Sequence, residues 1–366
     1  MIRKICSASR IDINFPHRRS MPRPPVRQQE GYVDAFDATT LFYDVYRYRD
    51  RIMFSGPPLW DLRKFAQAGA YNIDWHTLRP VFLDQWKVQR SFANTVATGD
   101  RISITSELAN GVFPISPDEN DLFEGRKVLF TLSKNNSLQW IADWAEFHVR
   151  SHGVDAVLLY DNKSDLYDPA TLLNALAGIE GIKVAVVMSW PFKYGPSGGY
   201  GPRWDSDFCQ IGAIAHARRR FLADCRGMIN ADIDELVVCE EGGTIFDHLD
   251  ASPVGAVSFS GLWLEAVAGI PQPRHRHFRY HLKKPVVCPR KWAIVPAAVP
   301  DDVQANVHDF GSGFEPDFLE SVRYRHFVAI NDDWKYKRAH AAMFKGHRHT
   351  VDAAYVQVMK AIGWAL

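Results

Sequence analysis

Residues 127–161 read KVLFTLSKNNSLQWIADWAEFHVRSHGVDAVLLYD, and this stretch decides the fold class. It opens with a short apolar run, Lys127 to Leu132, suited to a strand buried on both faces. Leu138, Ile141, Ala145 and Val149 then recur at helical spacing, so a helix is predicted over 137–152, with Gly153 as its stop. A second apolar strand follows over 154–160. Strand, helix and strand at this spacing make a parallel β-α-β unit with a right-handed crossover.

The alternation continues downstream. The pattern predicts a helix over 169–177, a strand over 182–188, a helix over 206–222, a strand leading into Asp232, and strands over 236–239 and 256–260. An α/β fold with a mixed, mostly parallel sheet follows, and such open sheets bind ligands at the carboxyl ends of their strands. The intervening loop over 190–204 carries Tyr194, Gly198, Gly199, Tyr200 and Gly201, the composition of a lid or sugar platform. Upstream, residues 31–120 show short alternating runs broken at Gly56-Pro57-Pro58 and Thr98-Gly99-Asp100, so a small β-rich domain is expected there. The turn-prone Ser116-Pro117-Asp118-Glu119-Asn120 marks its boundary with an α/β domain over 121–366. Residues 1–30 are rich in arginine and proline, including Arg18, Arg19, Arg23, Pro24 and Pro25, and are expected to be a disordered basic arm.

Bulk composition narrows the function classes. With 43 Lys and Arg against 42 Asp and Glu, nothing points to a nucleic-acid partner. A hydrophobic fraction of 46% rules out global disorder. The five cysteines show no C-x-x-C pair or zinc spacing, which favours a reducing compartment. No apolar run reaches the roughly 18 to 20 residues that span a bilayer, so a cytoplasmic protein is expected. The basic arm would supply a peripheral contact with anionic lipid at the inner face of the membrane.

Three polar clusters fall at strand ends. Asn230-Ala231-Asp232-Ile233-Asp234-Glu235 sets two carboxylates alternately at the exit of an apolar strand. In extended backbone both face one side, which makes Asp232 and Asp234 candidates to share a divalent cation. The loop Ser133-Lys134-Asn135-Asn136-Ser137 offers free backbone N–H groups to a nucleotide, with helix capping by Asn136 or Ser137 as the competing reading. Asp161-Asn162-Lys163-Ser164 ends the second strand, where Asp161 either meets a base or ribose or closes an Asx turn. A fourth cluster, Arg274-His275-Arg276-His277-Phe278-Arg279-Tyr280-His281, is read as a strand whose basic residues rim an anionic ligand. It lacks the acidic or cysteine partners of a zinc site.

In order as well as content, Lys134-Asn135, Gln139-Trp140-Ile141, Glu146-Phe147-His148, Gly153-Val154-Asp155 and Tyr160-Asp161-Asn162-Lys163-Ser164 resemble the opening of glycosyltransferase family 92 and related family-2-like enzymes. Gln210 to His216, followed by Ala231-Asp232-Ile233-Asp234-Glu235, is similar to the family's later block, which ends in a D-x-D-E metal motif. His326-Phe327, Asn331 and Trp334-Lys335 are similar to its closing segment. The likeness runs over residues 127–338, with Asn136 standing where the family usually carries an acidic residue.

The resemblance implies a Rossmann-like GT-A fold, a nucleotide-sugar donor, UDP-sugars favoured, and a divalent ion, Mn²⁺ or Mg²⁺. Asp232 and Asp234 would hold the ion with His308, which resembles the histidine that completes the metal site in many GT-A enzymes. Lys134, Asn135, Asp161, Asn162, Lys163, Gln210 and His326 would meet the donor, and Lys335 would stabilise the departing diphosphate. Inverting transfer also needs a carboxylate to deprotonate the acceptor hydroxyl, for which Glu265 and Asp333 are the candidates. The expected activity is hexosyl transfer to a glycan or glycolipid acceptor, in a setting such as polysaccharide assembly. Two rival readings use the same residues: a metal-dependent nucleotidyltransferase or phosphohydrolase, and a non-catalytic nucleotide- or sugar-binding protein.

Overall fold

Apolar runs such as Val128-Leu129-Phe130 and Val157-Leu158-Leu159 are fully buried in the computed structural model, which describes residues 1–196, 205–265, 270, 272–330 and 346–364. They belong to a nine-stranded central sheet. Its strands, numbered in chain order, are β1 (Ile2–Ser7), β2 (Lys127–Ser133), β3 (Ala156–Asp161), β4 (Val184–Ser189), β5 (Gly227–Asn230), β6 (Glu235–Cys239), β7 (Ala256–Leu264), β8 (Val287–Ile294) and β9 (Asp317–Phe327). The spatial order is β1-β4-β3-β2-β5-β8-β7-β9-β6. From β1 through β5 every neighbour is parallel. Beyond β5 the sheet is mixed, with antiparallel β5–β8, β8–β7 and β9–β6 pairs and a parallel β7–β9 pair.

Five helices pack on this sheet: α1 (Leu138–His152), α2 (Pro169–Ala177), α3 (Phe208–Arg220), α4 (Ile245–Ala251) and α5 (Ala353–Ala361). Period-2 alternation divides each strand between two cores. Leu129, Val157, Leu159, Ala185 and Val187 face α1, α2, α4 and α5. Val128, Phe130, Leu158, Val184 and Val186 face α3, whose Cys209, Ala213 and Ala217 complete the other layer. Local chemistry sets the helix ends. Ser137 accepts from Trp140 N–H at 3.2 Å at the start of α1, and Gly153 at φ 66 closes it. Asp168 caps α2 ahead of Pro169 at its first position, and a Thr244–Asp247 capping box opens α4.

The expectation of a disordered N-terminal arm is corrected. β1 extends the sheet in parallel register from Ile2 opposite Val184 to Ser7 opposite Ser189. Arg19 is 1% exposed and donates to the carbonyls of Asp37, Thr40 and Pro58. Lys4 pairs with Glu119 at 2.6 Å and Arg23 with Asp205 at 2.7 Å. Composition reads a charge run as solvated, but here the partners of the charges come from distant parts of the chain.

Residues 44–114 contain two antiparallel sheets. One joins Asp44–Tyr48, Arg51–Gly56 and Gln89–Asn94; the other joins Ala70–Ile73, His76–Leu78, Arg101–Thr105 and Asn110–Pro114. They share a core that includes Phe42, Phe54, Tyr71, Ile102 and Ile104. Asp44 ties this region to α3: its buried carboxylate accepts from Arg220 Nη1 and pairs with His216 Nε2, both at 2.9 Å. The polar stretch at 116–120 is not a solvated linker, because Asn120 is buried and bonds to the Arg219 carbonyl and the Ala223 N–H. All five cysteines are buried and free. Among the described residues no helix is long and apolar enough to cross a membrane.

Candidate active site

The chain runs outward from β2 through β3 to β4 and then crosses to β5 on the other side of β2. That reversal is a topological switch point, and open α/β sheets bind ligands in the crevice at the carboxyl ends of the two strands that flank it. Here those ends are Ser133 of β2 and Asn230 of β5, which leads directly into Asp232.

Residues 232–235 form a turn rather than a continuing strand, so Asp232 and Asp234 do not alternate along extended backbone as expected. Glu235 N–H donates to the Asp232 carbonyl at 3.0 Å, and Asp232 N–H donates to Glu235 Oε2 at 2.9 Å. His275 Nε2 donates to the Ile233 carbonyl at 2.8 Å, and Phe327 N–H to the Asp234 carbonyl at 2.9 Å. Every carbonyl of the turn from 232 to 234 is thereby fixed by a different element, and the three carboxylates point where the backbone sends them.

The carboxylates separate into two groups. Asp232 Oδ2 lies 2.7 Å from Lys291 Nζ on β8, and Gln210 Nε2 of α3 approaches Asp232 Oδ1 at 3.4 Å. Gln210 is oriented in turn by Tyr194, whose hydroxyl donates to Gln210 Oε1 at 2.6 Å. Lys291 also contacts Glu235 at 3.0 Å, and neither Lys291 nor Glu235 is solvent-exposed. Burial pushes the Asp232 carboxyl up, but the charge and hydrogen bond of Lys291, with smaller contributions from His308 and His326, hold it below the usual range. Burial raises the Glu235 carboxyl despite the opposing charge of Lys291, and the negative charge of Asp232 adds to the rise.

Asp234 faces the other way, 3.0 Å from His326 Nε2 on β9. Burial opposes charge on that imidazole, yet the charge and hydrogen bond of Asp234, with Cys288 and the charge of Glu235, together raise it to about 10. The His326 ring stacks on Trp263 of β7 with centroids 3.8 Å apart. Among the described residues, Asp234, Glu235 and His326 are the group whose possible ligand atoms all lie within 4.8 Å of one another. Two carboxylates and an imidazole form a donor set that suits Mn²⁺. Asp232 and His308 lie outside this group, in contrast to the expected trio of Asp232, Asp234 and His308. The exposed His308 ring donates from Nδ1 to the Arg290 carbonyl at 2.9 Å, on the Lys291 side of the turn. His326, expected at the donor, is instead the histidine that meets Asp234.

The loop residues expected at the nucleotide are largely bonded to one another. Asn135, at φ 56, exchanges hydrogen bonds with Asp165 through both side-chain atoms, each at 2.9 Å. Asp161 accepts from Ser164 N–H, which is the Asx-turn reading, and burial raises its carboxyl. Asn162 is buried and donates to the carbonyls of Trp190 and Phe192, so it anchors the start of the 190–196 segment rather than facing a ligand. Lys134 is half-buried and Lys163 exposed. The Arg274–His281 cluster is a 3₁₀ turn followed by a short strand, and it is not an open basic rim. Arg274 and Arg276 pair with Asp143, a fully buried residue of α1, because that carboxylate needs compensation inside the core.

Glu265 follows β7 two residues after Trp263, and period-2 geometry puts both side chains on one side of the strand. It is buried, its Oε2 has no hydrogen-bond partner among the described residues, and burial raises its carboxyl. Asp333 and Lys335, together with Asn331, Trp334 and most of the 190–204 loop's glycine-rich part, lie outside the described residues. Sequence reasoning missed Lys291. The signal was a lysine set against Trp292-Ala293-Ile294, since lysine is almost never fully buried without a partner.

Neither a scan against protein-family models nor a search of curated proteins finds a match to this chain.

Proposed function

We propose that this chain is a metal-dependent glycosyltransferase of the GT-A architecture, moving a sugar from a nucleotide donor, with UDP-sugars favoured, to a hydroxyl of a glycan or glycolipid. The observation that carries the reading is the meeting of Asp234, Glu235 and His326 at the switch-point crevice, at the D-x-D-E position of the family resemblance. These three residues would hold the ion, and a bound Mn²⁺ would neutralise charge on the donor diphosphate. Asp232 stays ionised beside it because Lys291 and Gln210 fix its two oxygens.

Glu265 is the base of this proposal, since a buried carboxylate with a raised pKa and an oxygen that has no hydrogen-bond partner among the described residues is suited to take the acceptor hydroxyl's proton in an inverting transfer. Trp263, stacked on His326 and in line with Glu265, offers an aromatic face for the acceptor sugar. Lys335 keeps the role of stabilising the departing diphosphate, and Asp333 is the alternative base.

The test is a thermal-shift screen of UDP-, GDP- and CMP-sugars, with Mn²⁺ or with EDTA. A ligand that binds only the folded state raises stability by about 2.7 kcal/mol at a hundredfold excess over its Kd. Stabilisation by one nucleotide-sugar class that requires Mn²⁺, with release of the nucleoside diphosphate upon adding acceptor, is the expected result. Stabilisation by nucleotides without dependence on the metal would remove the reading.

A further inference from the structure

A second set of charges lies at the far end of α3 from Gln210. There a cleft of about 210 Å³ is lined by Tyr48, Arg49, Arg218, Arg219 and Asp301, with Val299 among its apolar walls. The two buried guanidiniums of Arg218 and Arg219 have one carboxylate beside them, Asp301, which also meets Arg51 at 3.5 Å. Arg218 and Arg219 are each 5% exposed. Arg218 donates to the carbonyls of Val303 at 3.0 Å and Val299 at 2.9 Å, and among the described residues no carboxylate lies within 4 Å of it. Arg219 donates to the carbonyls of Ala215 and Asp301, and its nearest carboxylate oxygen, on Asp301, stands at 3.7 Å. The Nε of each is buried without a hydrogen-bond partner among the described residues.

Carbonyl dipoles solvate a guanidinium but do not cancel its charge, and two adjacent buried cations repel. Burial, with the neighbouring Arg219, pushes the Arg218 pKa down to about 9, the direction expected of a cation that lacks its counter-ion. At the mouth the exposed Arg49 lies over the Tyr48 ring at 5.2 Å and pairs with Asp224 at 3.3 Å, so a phenol and a surface guanidinium border the same space.

We propose that this cleft binds a phosphate-class dianion. Guanidinium forks match the oxygens of a phosphoryl group, and the hydroxyl of Tyr48 adds a donor. The volume exceeds what a phosphoryl group fills, which leaves room for a small organic moiety against Val299. Arg219 lies nine positions after Gln210 on α3, which is about 13 Å along the helix axis. A ligand here therefore does not touch the acidic turn, and the inference stands independently of the proposed activity.

The experiment is titration of the full chain with inorganic phosphate and, separately, with glycerol 3-phosphate, at ionic strength held constant with sodium chloride. Saturable stabilisation is expected, with Tm rising by about 4 °C at a hundredfold excess over Kd. Tyr48→Phe combined with Arg49→Ala should weaken binding at least about tenfold, and Arg218→Met should abolish it. Asp234→Asn should leave it unchanged. Should Arg218→Met fail to fold, the Tyr48 and Arg49 pair carries the test. Tighter binding of glycerol 3-phosphate assigns the site to phosphomonoesters, and equal binding assigns it to phosphate itself. No saturable shift with either ligand, a Kd left unchanged in the Tyr48/Arg49 pair, or a shift that disappears in Asp234→Asn overturns the proposal.

Discussion

The acidic turn after β5 and the polar loop after β2 stand at the same edge of the sheet, and they satisfy their polar groups in opposite ways. In the β2 loop, Asn136 bonds Ser133, Ser137 caps α1, and Asn135 reaches Asp165 across a neighbouring loop. These bonds use one carboxylate, Asp165, and otherwise neutral groups, and they close within this loop and the one beside it. In the turn, three carboxylates fall within four residues, and their compensation comes from Lys291 on β8, His326 on β9 and Gln210 on α3. Negative charge gathered from one short segment and balanced from three distant elements is costly to assemble, and on the proposed function that cost serves a cation and a charged ligand. Hydrogen bonds that close locally mark a place built to fold.

Asp234→Asn tests the first half of that contrast most severely. Asparagine keeps the size and can still accept from His326 but no longer balances its imidazolium charge, so the metal-free protein should keep its fold and melt several degrees below wild type. Metal-dependent donor binding should disappear, and turnover should fall by about a thousandfold or more, the scale of several kcal/mol of lost charge stabilisation. Mn²⁺-dependent turnover within about tenfold of wild type in this variant would show that the cation sits elsewhere. Lys291→Met is the next largest. It leaves Glu235 and Asp232 without their buried counter-charge, a loss of about 3–5 kcal/mol. Adding Glu235→Gln should restore about half of it, because one of the two stranded carboxylates is then neutral. Denaturant unfolding of the single and double variants checks both, and a single variant as stable as wild type would mean that the turn needs no internal cation.

The contrast also explains what could be read from the sequence. The strand and helix over 127–161 follow from apolar period and from Ser137 and Gly153, all local signals, and the structure reproduces them nearly to the residue. The acidic turn was visible as residue types, but its geometry was not. Alternation predicted one shared face for Asp232 and Asp234, whereas the bond from Glu235 N–H to the Asp232 carbonyl bends the chain and sends them to different partners. Lys291 lies fifty-nine positions away from Asp232, beyond the reach of any local pattern. The same blindness made residues 1–30 look unstructured, since the groups that accept from Arg19 and pair with Lys4 lie at 37–58 and 119.

Support beneath the turn gives a pH signature. His148 of α1 bonds the Trp144 carbonyl through Nδ1 and accepts Val237 N–H at Nε2; His152 bonds the Val237 carbonyl through Nε2 and accepts Ile245 N–H at Nδ1. Each ring therefore donates once and accepts once, a pattern that only the neutral form can supply. Burial drives His148 down to about 3, helped by the charge of His152, and His152 down to about 4. Because the folded values lie below the unfolded value near 6.5, the unfolded state binds more protons as pH falls through that window, and stability is lost from about pH 6.5 downward. Glu235, raised by burial, titrates in the opposite sense, so the useful comparison is between wild type and His152→Gln. Between pH 7 and 5.5 wild type should lose about 1 kcal/mol more than the variant. Parallel stability curves would show that His152 is not held neutral.

The smallest expected effect is on the locally satisfied side, and it decides whether the contrast is one of function or only of charge. Asn135 sits at φ 56, and its amide takes the Asp165 N–H and gives a bond to the Asp165 carboxylate. Asn135→Ala removes both bonds and places a side chain that disfavours left-handed backbone, so about 1–2 kcal/mol of stability should be lost. Asn135→Gly keeps the backbone unstrained, and the difference between the two variants isolates the strain. If the loop exists to close on itself, donor affinity in both variants should stay within about threefold of wild type, the spread expected of a site whose contacts are untouched. A tenfold loss of donor affinity in Asn135→Gly, with little change in melting, would instead put the Asn135 amide on the nucleotide, and the loop after β2 would then share the ligand with the turn after β5.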